Sequence, residues 1–203
     1  MSLSTLIMDG PVVIKIGGSL TDRARSVVEE VRASGRRALI VPGGGGFADG
    51  VRALDPPATA AHWMAVCAME AYGWYLSSFG LPATADVAVP AGPTVLLPYT
   101  ALRAADPLPH SWEVTSDTIA AWVADRLDVP LVLVKSVDTL RRDGQRMHDV
   151  REPFSCEEVD PCLLPYLFDR KIRACVVNGR IPGRVSALLA GEDVPCTRIG
   201  TRP

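Results

Sequence analysis

Short apolar runs of strand length alternate with amphipathic stretches along this chain. The runs Val12 to Ile16 and Ala38 to Val41 each lead directly into a cluster of glycines. Between them, valines at helical spacing predict a helix that begins with Thr21 as N-cap and ends near Ser34, with Gly35 as its stop. Strand, glycine turn and helix form a βα unit, so we expect the second strand to lie parallel to the first.

The rest of the chain continues this alternation. A long helix is predicted from Ala58 to Phe79, and its polar interruptions argue against a membrane span. Asp143-Gly144 suits the tip of a hairpin. Further strands are predicted at Ala85 to Val89, Thr94 to Leu97, Leu131 to Val134 and Ala174 to Val177, and further helices at Asp117 to Leu127 and Pro182 to Leu189.

This pattern predicts one α/β domain over residues 1–203, a three-layer α/β/α sandwich with an open, mainly parallel sheet. Residues 1–11 are expected to form a loosely ordered N-terminal segment. The aromatic residues of the long helix are typical of a packing or dimerisation face, and we expect a homo-oligomer.

Composition narrows the class of protein. With 48% hydrophobic and 22% charged residues, the 203-residue chain has the composition of an ordinary globular protein. Its net charge of -2 lacks the excess of basic residues that is typical of nucleic-acid-binding proteins. Five cysteines without CxxC spacing argue against a disulfide framework or a cysteine zinc site, and no residue is assigned as a metal ligand. Without a secretory signal, we expect a cytoplasmic protein that has no membrane partner.

The glycine clusters predict two anion sites at the carboxyl edge of the sheet. Glycines expose backbone N–H groups, and parallel strands bring both turns to the edge where open α/β sheets bind ligands. Lys15 precedes the first cluster, whereas a Walker A lysine follows its glycines, so this is not a P-loop. The second cluster fits the loose dinucleotide pattern from Gly43 to Ala48, but the acidic residue expected after a following strand is missing.

Three charged groups are candidates for phosphoryl chemistry. Lys15, at a strand end beside bare amides, could neutralise charge on a transferring phosphoryl group or could simply extend into solvent from the sheet edge. Asp117, which follows Ser116, could orient that ammonium or could only cap the helix that it begins. The segment from Lys135 to Asp138 could hold a nucleotide or could form a solvated loop.

These motifs resemble the amino acid kinase family from Val12 to about Thr201. The similar segments are a K-x-G-G-S first turn at Lys15 to Ser19, a G-G-G second turn at Gly43 to Gly46, and Asp117 before a central helix. The resemblance implies ATP and Mg²⁺ as cofactors and a small phosphate acceptor. It implies Lys15 and Asp117 as catalytic residues, Gly17, Gly18, Ser19, Lys135, Ser136 and Asp138 as nucleotide-binding residues, and Gly43, Gly44, Gly45, Gly46, His62 and Ser116 as acceptor-binding residues. His62 could instead be a hydrogen-bonded structural histidine.

Within the family, three segments resemble the short kinases of methanofuran biosynthesis: Pro42 to Asp49, His62 to Ala65 and Ser111 to Thr118. This likeness implies phosphorylation of (5-(aminomethyl)furan-3-yl)methyl phosphate to its diphosphate. Isopentenyl phosphate kinases close the second turn with a histidine, and Asp49 stands there in this chain. Other phosphate or carboxylate acceptors, a non-catalytic binding protein and a dinucleotide-dependent oxidoreductase are the alternatives.

A second departure concerns the other lysine of the family's active site. Many members carry G-G-M-x-x-K before the last βα unit, whereas this chain has Val159 to Leu164 in that region. Lys171, Lys135 or Arg180 could supply the missing charge, or the acceptor's own ammonium and Mg²⁺ could suffice.

Overall fold

An eight-stranded sheet forms the centre of the molecule in the computed structural model, which describes residues 10–200. Most of the expected loose N-terminal segment, residues 1–9, lies outside that range. The strands are β1 (Val12–Ile16), β2 (Ala38–Pro42), β3 (Ala83–Thr84), β4 (Thr94–Leu96), β5 (Leu131–Lys135), β6 (Leu140–Arg142), β7 (Gln145–Met147), β8 (Asp149–Val150), β9 (Ala174–Asn178) and β10 (Cys196–Ile199).

The strand order is β3-β4-β2-β1-β5-β9-β10-β8, and every neighbouring pair is parallel except β9 with β10. In this register Lys15 pairs with Val41 on one side and with Leu133 on the other. The carboxyl ends of β1, β2 and β5 therefore lie side by side, as predicted. Strands β6 and β7 form a separate hairpin whose tip, Asp143-Gly144, has positive φ at both residues.

Helices cover both faces of the sheet. Alternate strand residues point to opposite sides, so Val13, Leu39 and Leu133 belong to one core and Ile14, Ile40 and Val132 to the other. The helices are α1 (Ala24–Ala33), α2 (Gly45–Leu54), α3 (Ala58–Ser77), α4 (Tyr99–Ala105), α5 (Ser116–Leu127), α6 (Leu163–Asp169) and α7 (Arg184–Leu189). Two buried cores and a mainly parallel sheet confirm the three-layer architecture.

The long helix α3 closely follows its predicted range. None of the helices within residues 10–200 is long and apolar enough to cross a bilayer. Three helices, α2, α4 and α5, end at aspartates in the left-handed conformation: Asp55, Asp106 and Asp128.

Two local predictions are wrong. Thr21 does not cap α1, because Gly18–Arg23 forms a 3₁₀ helix in which the Thr21 hydroxyl donates to the Gly18 carbonyl at 2.6 Å. No strand forms over Ala85 to Val89. The edge strand β3 ends at Thr84, whose side-chain oxygen accepts the Asp86 amide at 3.1 Å and turns the chain away from the sheet.

Candidate active site

The two glycine turns touch each other at the carboxyl edge of the sheet. A Cβ atom on Gly18 would lie 2.2 Å from the backbone N and Cα of Gly45, so only hydrogen fits there. Gly45 itself has a φ of +54° at the start of α2. The amides of Gly17 and Gly43 are not bare, since they donate to the carbonyls of Val134 and Ile16 at 3.0 and 2.9 Å.

Replacing Gly18 by alanine should therefore separate the two turns. We expect the free energy of unfolding to fall by about 3 kcal/mol, because the added methyl group would meet backbone, and either the 3₁₀ helix at Gly18 or the start of α2 at Gly45 would have to move. Chemical denaturation measures this loss. Gly50→Ala is the matched control, since its Cβ meets no atom within 4 Å and alanine is the better helix former. Equal stability of the Gly18 variant and the parent would contradict the close contact.

Beside the first turn, Asp117 forms ion pairs with two lysines. One carboxylate oxygen lies 2.8 Å from the Lys15 ammonium, and the other lies 2.6 Å from the Lys135 ammonium. Lys15 and Asp117 are only 4% and 3% exposed. Lys15 therefore does not simply extend into solvent, and Lys135 brings a second cation to the same carboxylate.

Burial and charge act in opposite directions on this cluster. Burial alone would raise the pKa of Asp117, but the Lys15 and Lys135 ammoniums lower it to about 2, so the carboxylate is ionised at neutral pH. Burial lowers the pKa of Lys15, Asp117 opposes that shift, and the Lys135 charge adds to it. Within this group two ammoniums outnumber one carboxylate, and Asp160 adds a further acidic side chain near Lys15.

The helix that carries Asp117 is capped by a different residue. Asp160 accepts the backbone amides of Thr115 and Thr118 at 2.9 and 3.0 Å, and both threonine hydroxyls also donate to it. Asp160 is 8% exposed and lies in the segment that departs from the family's lysine motif. Because Asp160 satisfies the start of α5, the side chain of Asp117 is available to the lysines.

The predicted nucleotide-side residues gather where β1, β5 and β9 end. The Ser19 hydroxyl lies 3.3 Å from that of Ser136. Asp138 accepts a hydrogen bond from the amide group of Asn178 at 3.0 Å and pairs with Arg184. The hydrogen bond from Asn178, and then that from Arg184, lower the pKa of the Asp138 carboxyl. Sequence reasoning missed Asn178 and Arg184, although the polar residue at the end of the β9 run was a usable signal.

Arg180 also reaches this edge. Its guanidinium pairs with Asp22 at 3.0 Å and donates to the Ser19 carbonyl at 2.9 Å. Lys171 lies at the opposite edge, because it precedes β9 at its amino end. Of the three side chains considered for the second lysine's role, Lys135 is the one that shares Asp117 with Lys15.

A cavity of about 340 Å³ opens beside the contact between the turns. Helix α2 begins at the cavity wall. The first backbone amides of a helix have no partner within it, and the first turn of α2 carries no acidic residue, so this helix end favours an anion. Helix α5 begins there too, but Asp117 and Asp160 offset the positive end of its dipole. Of the predicted acceptor residues, Gly44, Gly45, Gly46, His62 and Ser116 line the cavity, and Gly43 does not.

Polar and aromatic side chains complete the cavity wall. Arg52 pairs with Asp49 at 3.0 Å, and its guanidinium lies 4.6 Å from the centre of the Trp112 ring. Burial lowers the pKa of His62, and the nearby His110 ring acts in the same direction, so His62 is neutral at pH 7. Arg52 and Trp112 were not predicted as site residues, because nothing in their sequence spacing links them.

Comparison with solved structures tests the fold. The chain superposes on UMP kinase from Ureaplasma parvum with a TM-score of 0.72 and 16% identity, covering 94% of this chain and 98% of that one. For uridylate kinase from Archaeoglobus fulgidus the TM-score is 0.69 with 17% identity and coverages of 93% and 99%. An isopentenyl phosphate kinase gives 0.63 with 13% identity and coverages of 93% and 98%.

Sequence comparison agrees with the fold. Residues 10–85, which include both glycine turns, match the amino acid kinase family. The chain has the amino acid kinase fold, and its sequence matches that family. It is also 29% identical to the [5-(aminomethyl)furan-3-yl]methyl phosphate kinase of Methanocaldococcus jannaschii, over 92% of this chain and 96% of that protein. The family resemblance read from the motifs is thus confirmed.

Proposed function

We propose that this amino acid kinase family protein transfers the γ-phosphoryl group of ATP to a small phosphomonoester, (5-(aminomethyl)furan-3-yl)methyl phosphate, and gives the diphosphate. The observation that carries the proposal is the buried Lys15–Asp117–Lys135 cluster, which lies at the strand ends beside two touching glycine turns. The Methanocaldococcus jannaschii relative, aligned over nearly the whole chain, supports the choice of acceptor.

The residues at the first turn fit the phosphates of ATP. The ammonium of Lys15 lies close to Gly17, since a Cβ there would be 3.6 Å from Lys15 Nζ. Lys15 and Lys135 would neutralise charge on the transferring group, while Asp117 holds both ammoniums in place. Ser136 and Asp138, beside Asn178, would bind the remainder of the nucleotide. ATP supplies the phosphoryl group.

Mg²⁺ fits this site chiefly as a partner of the nucleotide. Both Asp117 oxygens already lie within 2.8 Å of an ammonium, so Asp117 is a poor ligand for the ion. Protein-bound Mg²⁺ commonly keeps several waters and coordinates substrate phosphates. The lysines would then share with the ion the neutralisation of the phosphate oxygens.

The cavity fits a phosphomonoester acceptor. The start of α2 provides amides for its phosphate, and Arg52 is a cation on the same wall. The second pKa of a phosphomonoester is about 6, so the group is largely dianionic at pH 7 and is already nucleophilic. No general base is needed, and the protein's contribution is positioning and charge stabilisation.

A direct assay with purified protein tests the proposal. ATP and Mg²⁺ are supplied with (5-(aminomethyl)furan-3-yl)methyl phosphate, UMP, isopentenyl phosphate or a carboxylate, and ³¹P NMR records the products. We expect acceptor-dependent ADP together with a new diphosphate only for the aminomethylfuran compound. ADP formation with another acceptor would reassign the substrate. Nucleotide binding without any acceptor-dependent ADP would identify a non-catalytic binder.

Several expectations stay predictions alongside this proposal. They are the cytoplasmic location, the homo-oligomeric state, and the lack of nucleic acid and membrane partners. The individual roles of the site residues are also proposed, and variants of Lys15 and Asp117 test two of them.

A further inference from the structure

Two of the chain's three histidines stack on each other, and one of them, His62, lines the cavity. His62, on α3, stacks on His110 with ring centres 4.2 Å apart and an angle of 21° between the planes. Asp106, at the end of α4, lies 2.9 Å from Nε2 of His110. One donor atom from each of these side chains lies within 4.8 Å of the other two. Among residues 10–200, this is the one group of three such side chains close enough to share an ion.

We propose that His62, His110 and Asp106 form a binding site for a divalent transition metal ion such as Zn²⁺. Two imidazoles and one carboxylate are ligands that Zn²⁺ accepts, and Mg²⁺ and Ca²⁺ prefer all-oxygen sites. Three protein ligands leave the fourth position of a tetrahedral ion open. This site is separate from the Lys15–Asp117–Lys135 cluster.

His110 and Asp106 are close to the spacing that such an ion needs, whereas the stacked His62 ring, whose lone pairs lie in its own plane, would have to rotate to reach the same ion. With bonds of about 2.0 Å, two ligands of a tetrahedral ion lie roughly 3.3 Å apart. His110 Nε2 and Asp106 Oδ1 are already 2.9 Å apart, so a small separation would make room for an ion between them. The ion would bind the Nε2 lone pair of the neutral tautomer that carries its ring proton on Nδ1.

The surroundings hold His110 in an orientation suited to a metal ligand. Its Nδ1 lies 3.2 Å from the Thr59 hydroxyl oxygen, which can accept a hydrogen bond from Nδ1–H in the tautomer that leaves Nε2 for an ion. The Trp63 ring packs edge-on against both imidazoles, at centre distances of 4.8 and 5.3 Å. The guanidinium group of Arg103 lies over the Trp63 ring, 4.8 Å from its centre, in a cation–π contact.

An ion held by this group would lie beside the cavity, because His62 lines the cavity wall. The vacant coordination site could then take water or a donor atom of a bound acceptor. This last step alone rests on the proposed function, and the binding site itself does not.

Titration of the full-length protein with Co²⁺ tests the site without any measurement of turnover. Four-coordinate Co²⁺ with nitrogen and oxygen ligands absorbs visible light, and we expect one ion per chain, displaced by Zn²⁺ and not by Mg²⁺. His110→Ala and Asp106→Asn should each weaken Zn²⁺ binding by about 100-fold or more. His148→Ala, at the third histidine, should bind as the parent does. Circular dichroism confirms that the variants are folded.

Two results would overturn the proposal. One is the absence of a saturable Co²⁺ spectrum in the parent, and the other is equal affinity in the parent and the His110 variant. A thiolate-to-cobalt charge-transfer band would point instead to the exposed Cys67. In each case His62, His110 and Asp106 are a hydrogen-bonded and stacked group only. Acceptor-dependent ADP formation would be unaffected, so failure here is distinguishable from failure of the proposed function.

Discussion

Lys15→Met should lower turnover by about 100-fold or more while the protein stays folded. The variant removes an ammonium that would stabilise charge on the transferring phosphoryl group, an effect comparable to the loss of one preorganised donor. Methionine keeps most of the buried stem of a side chain that is only 4% exposed. Asp117 retains a counter-charge, since Lys135 still lies 2.6 Å from it. Steady-state kinetics with the aminomethylfuran acceptor measures the effect.

The chain provides a matched control for this variant. It has three lysines, and Lys171 is exposed at the opposite edge of the sheet. Lys171→Met removes the same charge and should leave turnover within about twofold of the parent. Near-parent activity of the Lys15 variant would exclude a role for its ammonium in the reaction.

Asp117→Asn should also cost about 100-fold in turnover, for a different reason. The carboxylate sits between two ammoniums, and without its charge they repel each other and lose their fixed positions. We therefore expect the main loss in kcat. Val31→Ala, which deletes buried methyl groups of α1, is a control for lowered stability alone. Parental turnover of the Asn variant would rule out a positioning role for the carboxylate.

The same variant should change how stability depends on pH. The pKa of Asp117 is lowered from 3.8 to about 2, so its ionised form stabilises the fold above about pH 4, and this contribution disappears as the pH falls towards 2. The shift corresponds to about 2 kcal/mol at neutral pH. Denaturation curves should show the parent more stable than the variant at pH 7 and the difference narrowing below pH 4. A difference independent of pH would contradict this assignment.

The positions of the turns could be predicted from the sequence because each depends on neighbours in the chain. An apolar run followed by glycines fixes a strand and a turn, and the right-handed crossover then brings Lys15 and both turns to one edge. The contact of Lys15 with Asp117 was one of two alternatives that the sequence left open, and the structure shows it. The alternative that Asp117 only caps its helix is wrong, because Asp160 provides the cap.

Long-range partners could not be predicted. Lys135 was considered for two roles, and only the parallel pairing of β1 with β5 shows that it reaches Asp117. His110 comes next to His62 because the loop after α4 folds back over α3, a contact of residues 48 positions apart with no periodic signal. The strand β10 was also missed, and it pairs antiparallel with β9 although helix α7 lies between the two strands, where a βαβ unit would predict a parallel strand.

The backbone contact between Gly18 and Gly45 determines how the two substrates would meet. These residues follow adjacent, hydrogen-bonded strands, so the spacing between the two binding floors is set when the sheet folds. In hinge-bending kinases, closure of one lobe on another brings the reactants together. If donor and acceptor bind at these two turns, the pairing of β1 with β2 would set the distance between them before either ligand arrives.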